Sequence, residues 1–350
     1  MIVAVMKHYQ LTPVEANCPI CYSRNAQLLW SVDSEQAARH YVSKEAEPQR
    51  FKKLADHISN LWQQKTCNVV RCDDCGFCYS YPYTAGDDKF YDLAYERSGY
   101  PTWKWEHQLT YDALKDKRNF TLLEIGAGDG AFIRRITPEL TSQTNVLCTE
   151  YSNYGRGQIQ QLGLNCLAVD IRSKQFEPFK EHFDVICMFQ VLEHMDRLDD
   201  LFQRLNYLTR KQASLFISVP NPKCIEFSEL NGGLLDMPPN HIGRWNREGF
   251  EKLGERWGWF VENHAIEENT FASKAELFLK YRFWREGQHP GTPANRISRI
   301  KNHNLSKLMT IGCIGLYTVS DLPKLSRLRA VDLGFSQWVH LKRKASLEPE

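Results

Sequence analysis

Apolar and polar positions follow two periods between residues 119 and 222, one typical of strands and one typical of helices. Short apolar runs predict five strands, at TLLEI (121–125), NVLCTEYS (145–152), LNCLAVDI (164–171), FDVICMFQVLEHM (183–195) and SLFISVPNP (214–222). Between these runs the sequence predicts helices, among them the one opened by the glycine loop, YGRGQIQQLG and DRLDDLFQRLNYLTR. The alternation of strand and helix indicates a doubly wound, mostly parallel α/β sheet.

Two later runs extend this sheet. FVENHAIEENTF (260–271) and GFSQWVHLKRK (334–344) predict two more strands, with a helical insertion at residues 272–330 before the last one. We expect a seven-stranded Rossmann-like sheet that ends in an antiparallel hairpin. The main domain then covers residues 119–350 and follows an aromatic-rich linker or lid at residues 86–118.

The first strand runs into a glycine loop, TLLEIGAGDGAF (121–132), that opens a helix. Gly126, Gly128 and Ala131 fit the dinucleotide pattern G-x-G-x-x-G/A, in which the helix N-terminus faces a ligand. This pattern alone leaves a nicotinamide dinucleotide and other adenosyl cofactors open.

Of three acidic residues near the strand ends, two help to choose the cofactor. Glu124 lies on an apolar strand, where a carboxylate is costly to bury unless it meets a positive group. Pyrophosphate would repel it, whereas the ammonium and sulfonium of S-adenosylmethionine would be attracted. Glu150 would bind ribose hydroxyls of either cofactor, and Asp170 can accept from an adenine amino group. The balance favours S-adenosylmethionine, and a nicotinamide oxidoreductase stays the alternative.

The cysteines suggest a second kind of site. CPIC and CDDC carry two C-x-x-C pairs, and four thiolates in two such knuckles make a tetrahedral structural zinc site at Cys18, Cys21, Cys72 and Cys75. We expect a zinc-ribbon-like module at residues 1–85 with a helical insertion at 34–62. The alternatives are thiols without metal, a redox pair, or a zinc site in which Cys67 or Cys78 replaces one ligand. The start, MIVAVMK, has no secretory signal, so eleven cysteines suggest a cytoplasmic protein.

Residues 119–222 resemble class I S-adenosylmethionine-dependent methyltransferases, through LLEIGAGDG, the acid of CTEYS, the VDI segment and FDVICMFQVLEHM. The final GFSQWVHLKRK resembles the last strand of that fold. The knuckle segment in front of such a domain is similar to sugar and natural-product methyltransferases. The resemblance implies that the methionine end of the cofactor is surrounded by Glu124, Gly126, Gly128 and Gly130. It also implies that Glu150 holds the ribose, that Asp170 binds the adenine side and that Gln190 lines the site.

The acceptor side is predicted in LLDMPPNHIGRWNREGF (234–250), which follows the fifth strand at the sheet edge that carries ligands. His241 is a candidate base or substrate contact, or else organises the loop, and Arg244 is a second catalytic candidate. Asn246 is expected to cap the next helix. Glu193 and His194 are expected to line the cofactor or support the fold.

Charge and hydropathy limit the partners. The formal net charge is +2, but residues from 273 onward hold 14 Lys or Arg against 6 Asp or Glu. Such a basic region can attract phosphate, a membrane surface or nucleic acid, or else is a solvated helical face. The run LMTIGCIGLYTV is too short to span a bilayer.

We therefore predict a methyltransferase acting on a small or carrier-linked molecule such as a sugar, nucleotide sugar or secondary metabolite. Nucleic acid is not the expected partner, and the oligomeric state stays open. An RNA methyltransferase with a zinc docking module and a non-catalytic binding protein of the same fold are the alternatives.

Overall fold

The structure is a computed structural model that describes residues 9–95, 102–231, 233, 235–287, 289–300 and 302–344. The segment MIVAVMK, residues 96–101 of the aromatic run and Leu234 of the acceptor loop lie outside the described residues. The N-terminal elements are β1 (Thr12–Glu15), β2 (Asn25–Asp33), α1 (Ser34–Arg39), α2 (Pro48–Trp62), β3 (Thr66–Cys72) and β4 (Cys78–Tyr81).

The central elements are α3 (Asp88–Ala94), α4 (Trp105–Leu114), β5 (Leu122–Ile125), α5 (Ala131–Leu140), β6 (Val146–Thr149), α6 (Asn153–Gln161), β7 (Asn165–Leu167), β8 (Phe183–Phe189), α7 (Leu198–Leu208) and β9 (Thr209–Pro220). From β5 to β9 the strands alternate with helices as the sequence pattern predicts, except that only a short 3₁₀ helix (Lys174–Phe179) separates β7 from β8. The C-terminal elements are α8 (Pro222–Leu230), β10 (Gly243–Arg244), α9 (Arg247–Trp257), β11 (Trp259–Ile266), α10 (Phe271–Gly287), α11 (Pro293–Ser298), α12 (His303–Ser320), α13 (Leu322–Arg327) and β12 (Ser336–Arg343).

The larger sheet has seven strands in the order β11-β12-β9-β8-β5-β6-β7. The strands from β9 to β7 pair in parallel, whereas β12 pairs antiparallel with both β9 and β11. The predicted fold class is therefore confirmed, including the antiparallel hairpin. The chain runs outward in both directions from β5, so the carboxyl ends of β5 and β8 flank the point where open α/β sheets bind ligands.

Alternate residues of the strands face opposite layers of helices. On β5, Leu122 belongs to the cluster that contains Phe132 and Ile136 of α5, whereas Leu123 belongs to the cluster that contains Leu201 and Leu205 of α7. Both layers are buried, and this explains why the central strands are apolar on both faces. The core thus fixes β5 and β8 rigidly below the loops that follow them.

The smaller sheet has five antiparallel strands in the order β1-β2-β3-β4-β10. The predicted helical insertion consists of two helices, α1 and α2, between β2 and β3. The fifth strand comes from the long connection after β9, because Gly243 pairs with Tyr79 and Arg244 with Cys78. The cysteine segment therefore completes its sheet with residues from the acceptor loop.

The chain divides into two compact units. One holds both sheets and comprises Leu11–Pro220, Met237–Glu267 and the stretch that contains β12. The other comprises Asn221–Asp236 and Glu268–Phe335, and its helices share an apolar core with Phe227, Phe278 and Leu328. The domain limits at residues 85 and 118 stay predictions. Among the described helices, none combines the length and the apolar character that a bilayer span requires.

Candidate functional site

The glycine loop after β5 has a backbone that other residues rarely adopt. Gly126, Gly128 and Gly130 have φ angles of +69°, +57° and +82°, in the left-handed region that favours glycine. A Cβ at Gly126 would lie 2.6 Å from Cγ2 of Val191, just after β8. Gly130 is the N-cap of α5, so the loop delivers the chain to a helix N-terminus beside the ends of β5 and β8.

Glu150 holds this loop against the end of β6. Its Oε2 accepts from the Gly128 N–H at 2.8 Å, and its Oε1 accepts from the Ser152 N–H at 2.8 Å. The Thr149 hydroxyl accepts from the Gly126 N–H at 3.2 Å. The Glu150 carboxylate therefore ties the glycine loop to the start of α6, since Ser152 is the N-cap of that helix.

Gly155 on α6 contributes to the same site and was missed by the sequence analysis. A Cβ at this position would lie 2.3 Å from the Gly128 carbonyl oxygen and 2.8 Å from Cγ of Glu150. Glycine is unfavourable within a helix, so the glycine at 155 in YGRGQ is a signal that could have pointed to this close packing. The helix can therefore approach the loop only because this residue lacks a side chain.

Glu124 is buried on β5 directly below the loop. Burial raises the pKa of its carboxyl group to about 8, and neighbouring Glu150 and Asp129 act in the same direction, whereas Lys104 opposes them. Its Oε2 has no hydrogen-bond partner among the described residues. Leaving a buried acceptor unsatisfied costs about 1–3 kcal/mol, so this position would gain from a cationic or N–H-donating ligand.

Asp170 lies beyond β7, because this edge strand ends at Leu167 and is shorter than predicted. The Asp170 carbonyl accepts from the Ser173 N–H at 2.9 Å in a turn. The carboxylate accepts from Nε of Arg172 at 2.7 Å and from its NH2 nitrogen at 2.6 Å. Burial raises the pKa of Asp170, but these hydrogen bonds outweigh burial and hold the pKa below its ordinary value. Arg172 also donates from its NH1 nitrogen to the Asp196 carbonyl at 2.9 Å.

Gln190 follows β8 with a left-handed backbone, at φ +59°. Its Nε2 donates to Oγ of Ser336 at 3.3 Å, to Oγ of Ser218 at 3.4 Å and to Oε1 of Glu106 at 3.4 Å. Glu106 is buried on α4. Sequence reasoning missed this acid because it assigned the segment to a linker.

The acceptor loop brings His241 to the end of β8. The rings of His194 and His241 are 4.7 Å apart between centroids and meet edge to face. The His194 Nδ1 lies 2.7 Å from the Asn240 carbonyl oxygen and 3.1 Å from the hydroxyl of Tyr91 on α3. Tyr95 also donates to the Asn240 side chain at 3.1 Å. The described part of the aromatic segment thus contacts the loop, and its action as a lid stays a prediction.

Arg244 is placed differently from His241. It is buried in β10, and its guanidinium lies 5.6 Å from the ring centroid of Trp30 on β2. The neighbouring Trp245 is fully buried and packs against Phe77 at 4.8 Å between ring centroids. Both residues therefore anchor the loop in the cysteine-bearing sheet.

The four predicted zinc ligands converge. Cys18 and Cys75 sulfurs are 3.6 Å apart, those of Cys21 and Cys72 are 3.5 Å apart, and all four lie within 4.8 Å of one another. Sulfurs at about 2.3 Å from a tetrahedral zinc are about 3.8 Å apart. The donor set and its spacing therefore fit a zinc ion.

The two knuckles have the same backbone geometry. The Tyr22 N–H donates to the Cys18 carbonyl at 3.0 Å, and the Gly76 N–H donates to the Cys72 carbonyl at 3.1 Å. Tyr22 and Gly76 both have left-handed φ angles, +62° and +67°. Tyr22 departs from the glycine preference at this position, yet it adopts the same turn. Cys67 and Cys78 donate to carbonyl oxygens elsewhere and are not part of the cluster.

The profile of a family described as a methyltransferase domain matches residues 101–290, more than half of the chain. The chain belongs to this family. The matched range includes the glycine loop, Glu150, Asp170, His194 and His241. The protein is thus an S-adenosylmethionine-dependent methyltransferase of class I. A comparison with curated proteins found no match.

Solved structures of other methyltransferases are similar at a distance. An S-adenosylmethionine-dependent methyltransferase from Archaeoglobus fulgidus is 15% identical, with 68% of this chain and 92% of that chain covered and a TM-score of 0.42. A phosphoethanolamine N-methyltransferase from Haemonchus contortus is 16% identical, with coverages of 70% and 53% and a TM-score of 0.41. The geranyl diphosphate C-methyltransferase of Streptomyces coelicolor is 13% identical, with coverages of 69% and 78% and a TM-score of 0.39. At this distance the likenesses say nothing about the substrate of this chain.

Proposed function

We propose that this methyltransferase acts on a small or carrier-linked molecule, such as a sugar, a nucleotide sugar or a secondary metabolite. The observation that carries the proposal is the way α3 and the 237–246 loop meet over the end of β8. Tyr91 contacts His194, and Tyr95 contacts Asn240, both through side-chain hydroxyls. These contacts would enclose the side where the methyl acceptor binds, and an enclosed site suits a small acceptor or a small group attached to a carrier.

Cofactor binding is assigned to the loops after β5, β6 and β7. Glu124, Gly126, Gly128 and Gly130 would surround the methionine end, where the unsatisfied oxygen of Glu124 can meet an ammonium group. Glu150 would accept from the ribose hydroxyls, and Asp170 from the adenine amino group. Gln190 would close the site on the β9 side.

S-adenosylmethionine supplies a methyl group on a sulfonium that is already primed to leave. The contribution of the chain is then mainly to hold the acceptor in line with that methyl, since proximity and orientation account for much of such a rate. His241 would orient the acceptor or receive its proton; the contact of its ring with His194 supports this proposal. Arg244, in contrast, would act by holding the loop in place.

We also propose that Cys18, Cys21, Cys72 and Cys75 bind one structural zinc. A site closed by four thiolates has no open position for substrate, so its role is structural. The Cys75 carbonyl accepts from Nδ2 of Asn246 at 3.3 Å, and Oδ1 of Asn246 caps α9 by accepting from the Gly249 N–H at 2.9 Å. The predicted cap is thereby confirmed, and the knuckle would fix where the acceptor loop enters α9.

The proposed domain organisation keeps a cysteine module at residues 1–85, a linker or lid at 86–118 and the methyltransferase domain at 119–350. Because β10 completes the module's sheet, residues 1–85 alone would lack an edge strand and the indole of Trp245.

Calorimetric titration tests the cofactor assignment. We expect S-adenosylmethionine to bind the wild-type protein and Glu150→Ala to weaken binding at least about tenfold, that is about 1.4 kcal/mol. Glu177→Ala, which removes an exposed acid, is the matched control. Equal affinities for all three proteins would contradict the role of Glu150, and elemental analysis without zinc would contradict the metal assignment. Screening nucleotide sugars and other small acceptors against RNA then tests the substrate class.

A further inference from the structure

A second group of metal-ligating side chains lies at the acceptor side, separate from the cysteines. Glu193, His194 and His241 each offer one ligand atom, and the three atoms lie within 4.8 Å of one another. The Glu193 Oε1 and His194 Nε2 atoms are 3.8 Å apart. Two atoms bound at about 2.1 Å to one ion are at most about 4.2 Å apart. The Glu193–His194 pair already fits, and small side-chain rotations of His241 would complete the set.

The second ring nitrogen of His194 is held in the way that metal-bound histidines require. Its Nδ1 is 2.7 Å from the Asn240 carbonyl oxygen, which can only accept a hydrogen bond. A neutral His194 therefore has its proton on Nδ1 and its lone pair on Nε2, the atom that faces Glu193. A histidine that donates its other N–H to a carbonyl is the usual arrangement around a protein-bound metal.

The group is also preassembled and placed at the reaction site. The Glu193 carbonyl accepts from the Ile242 N–H at 2.9 Å, so the backbone ties the two halves of the cluster together. Glu193 is buried and His241 is only 9% exposed. Val191, two residues before Glu193, contacts the position of Gly126 in the glycine loop. The cluster thus lies next to the cofactor loop at the switch point of the sheet.

We infer that Glu193, His194 and His241 bind a divalent cation whose remaining coordination positions take an oxygen of the methyl acceptor. One carboxylate and two imidazoles suit ions such as Zn²⁺, Mn²⁺ or Fe²⁺, and three protein ligands leave positions open. This inference rests on the proposed methyltransferase function and extends it to the acceptor atom. It also changes the role of His241 from base to ligand.

The reaction that follows is O-methylation. A metal-bound hydroxyl loses its proton to solvent at a lower pKa, as water does on zinc. The resulting oxygen forms a bond to the methyl carbon while the bond from that carbon to sulfur breaks. The products are the methyl ether, S-adenosylhomocysteine and the released proton, so atoms and charge balance.

The test uses Mn²⁺ as the probe on the full chain after mild chelation. Mn²⁺ favours oxygen ligands over soft thiolates and would leave a four-thiolate zinc site in place. Electron paramagnetic resonance counts bound Mn²⁺, and water proton relaxation detects exchangeable positions on it. We expect one bound Mn²⁺ with exchangeable water, and at least about tenfold weaker binding in Glu193→Gln and in His241→Asn.

His264→Asn is the control, because His264 lies on β11 and bonds Gln337 rather than this cluster. Zinc content and thermal midpoint show that each variant folds, and calorimetry with S-adenosylmethionine tests the methyltransferase function independently. Absence of Mn²⁺ binding, equal affinity in the variants, or bound Mn²⁺ without exchangeable water would overturn the inference even where S-adenosylmethionine binds. A carbon- or nitrogen-methylated product formed equally fast without metal would overturn the acceptor-oxygen part.

Discussion

The contact between α6 and the glycine loop gives a prediction in which two glycines of one helix behave oppositely. A Cβ on Gly155 would lie 2.3 Å from the Gly128 carbonyl oxygen, a backbone atom that cannot rotate away. A Cβ on Gly157 would meet no atom within 4 Å. Gly155→Ala therefore perturbs the loop, while Gly157→Ala in the same helix changes only helix propensity.

The magnitudes follow from two opposing effects. Replacing glycine by alanine within a helix stabilises by about 0.5–1 kcal/mol. Forcing an extra methyl group into a packed contact costs about 1–3 kcal/mol. Gly157→Ala should accordingly raise the free energy of unfolding by about 0.5–1 kcal/mol. Gly155→Ala should lie about 1–3 kcal/mol below Gly157→Ala, since the propensity gain is common to both.

Urea denaturation measures these differences, and calorimetry measures the affinity for S-adenosylmethionine. If Gly155→Ala displaces Gly128, the hydrogen bond from the Gly128 N–H to Glu150 is also disturbed. We expect Gly155→Ala to weaken cofactor binding at least about tenfold, or about 1.4 kcal/mol, and Gly157→Ala to leave it within about twofold. If the two variants were equally stable and bound the cofactor equally, the proposed packing of α6 on the loop would be wrong.

Three further predictions concern the acid below the loop, the cysteine cluster and the helix cap. The pKa of Glu124 is raised to about 8, so between about pH 4.5 and 8 the folded protein binds more protons than the unfolded chain. The free energy of unfolding should therefore fall as pH rises through this window. Urea titrations of Glu124→Gln should show no such pH dependence. Affinity for the cationic cofactor should rise through pH 8 in the wild type and be flat in Glu124→Gln. Cys72→Ser should abolish stoichiometric zinc and lower the thermal midpoint, whereas Cys78→Ser should retain the zinc by elemental analysis. Asn246→Ala should destabilise by about 1 kcal/mol through loss of its cap, seen as a lower urea midpoint with an unchanged slope.

The fold could be predicted because its signals are local. Central strands buried on both faces, such as β5 and β8, read as continuous apolar runs, and the helices between them have their own period. The predicted ends of β6, β7 and β8 were too late, since these strands end at Thr149, Leu167 and Phe189. At β7, the turn that Asp170 makes with Ser173 lies beyond the last strand pairing. Edge strands have one neighbour and a weaker pattern, so their ends are decided by such turns.

The arrangement of the candidate site depended on contacts that no local pattern encodes. The two residues of β10 join a sheet whose other strands end at Tyr81, far earlier in the chain. The bond from Asn246 to Cys75 and the contact of His194 with Asn240 likewise join distant segments. Sequence reasoning proposed His241 but could not place it beside His194. It could not foresee that the Arg244 side chain lies over Trp30, and the catalytic roles of both residues stay predictions.

Because of these long-range contacts, loss of zinc should affect the acceptor loop and the cofactor loop differently. The cysteine cluster reaches the acceptor side through Cys75 and Asn246 and through the pairing of β4 with β10. The cofactor loop is held instead by Glu150 and Thr149 at the end of β6, through hydrogen bonds from the Gly128 and Gly126 N–H groups. Removal of zinc should therefore displace the loop that carries His241 and lower turnover or Mn²⁺ affinity before it weakens S-adenosylmethionine binding. An equal loss of cofactor affinity on zinc removal would show that the cluster supports the whole fold rather than the acceptor loop.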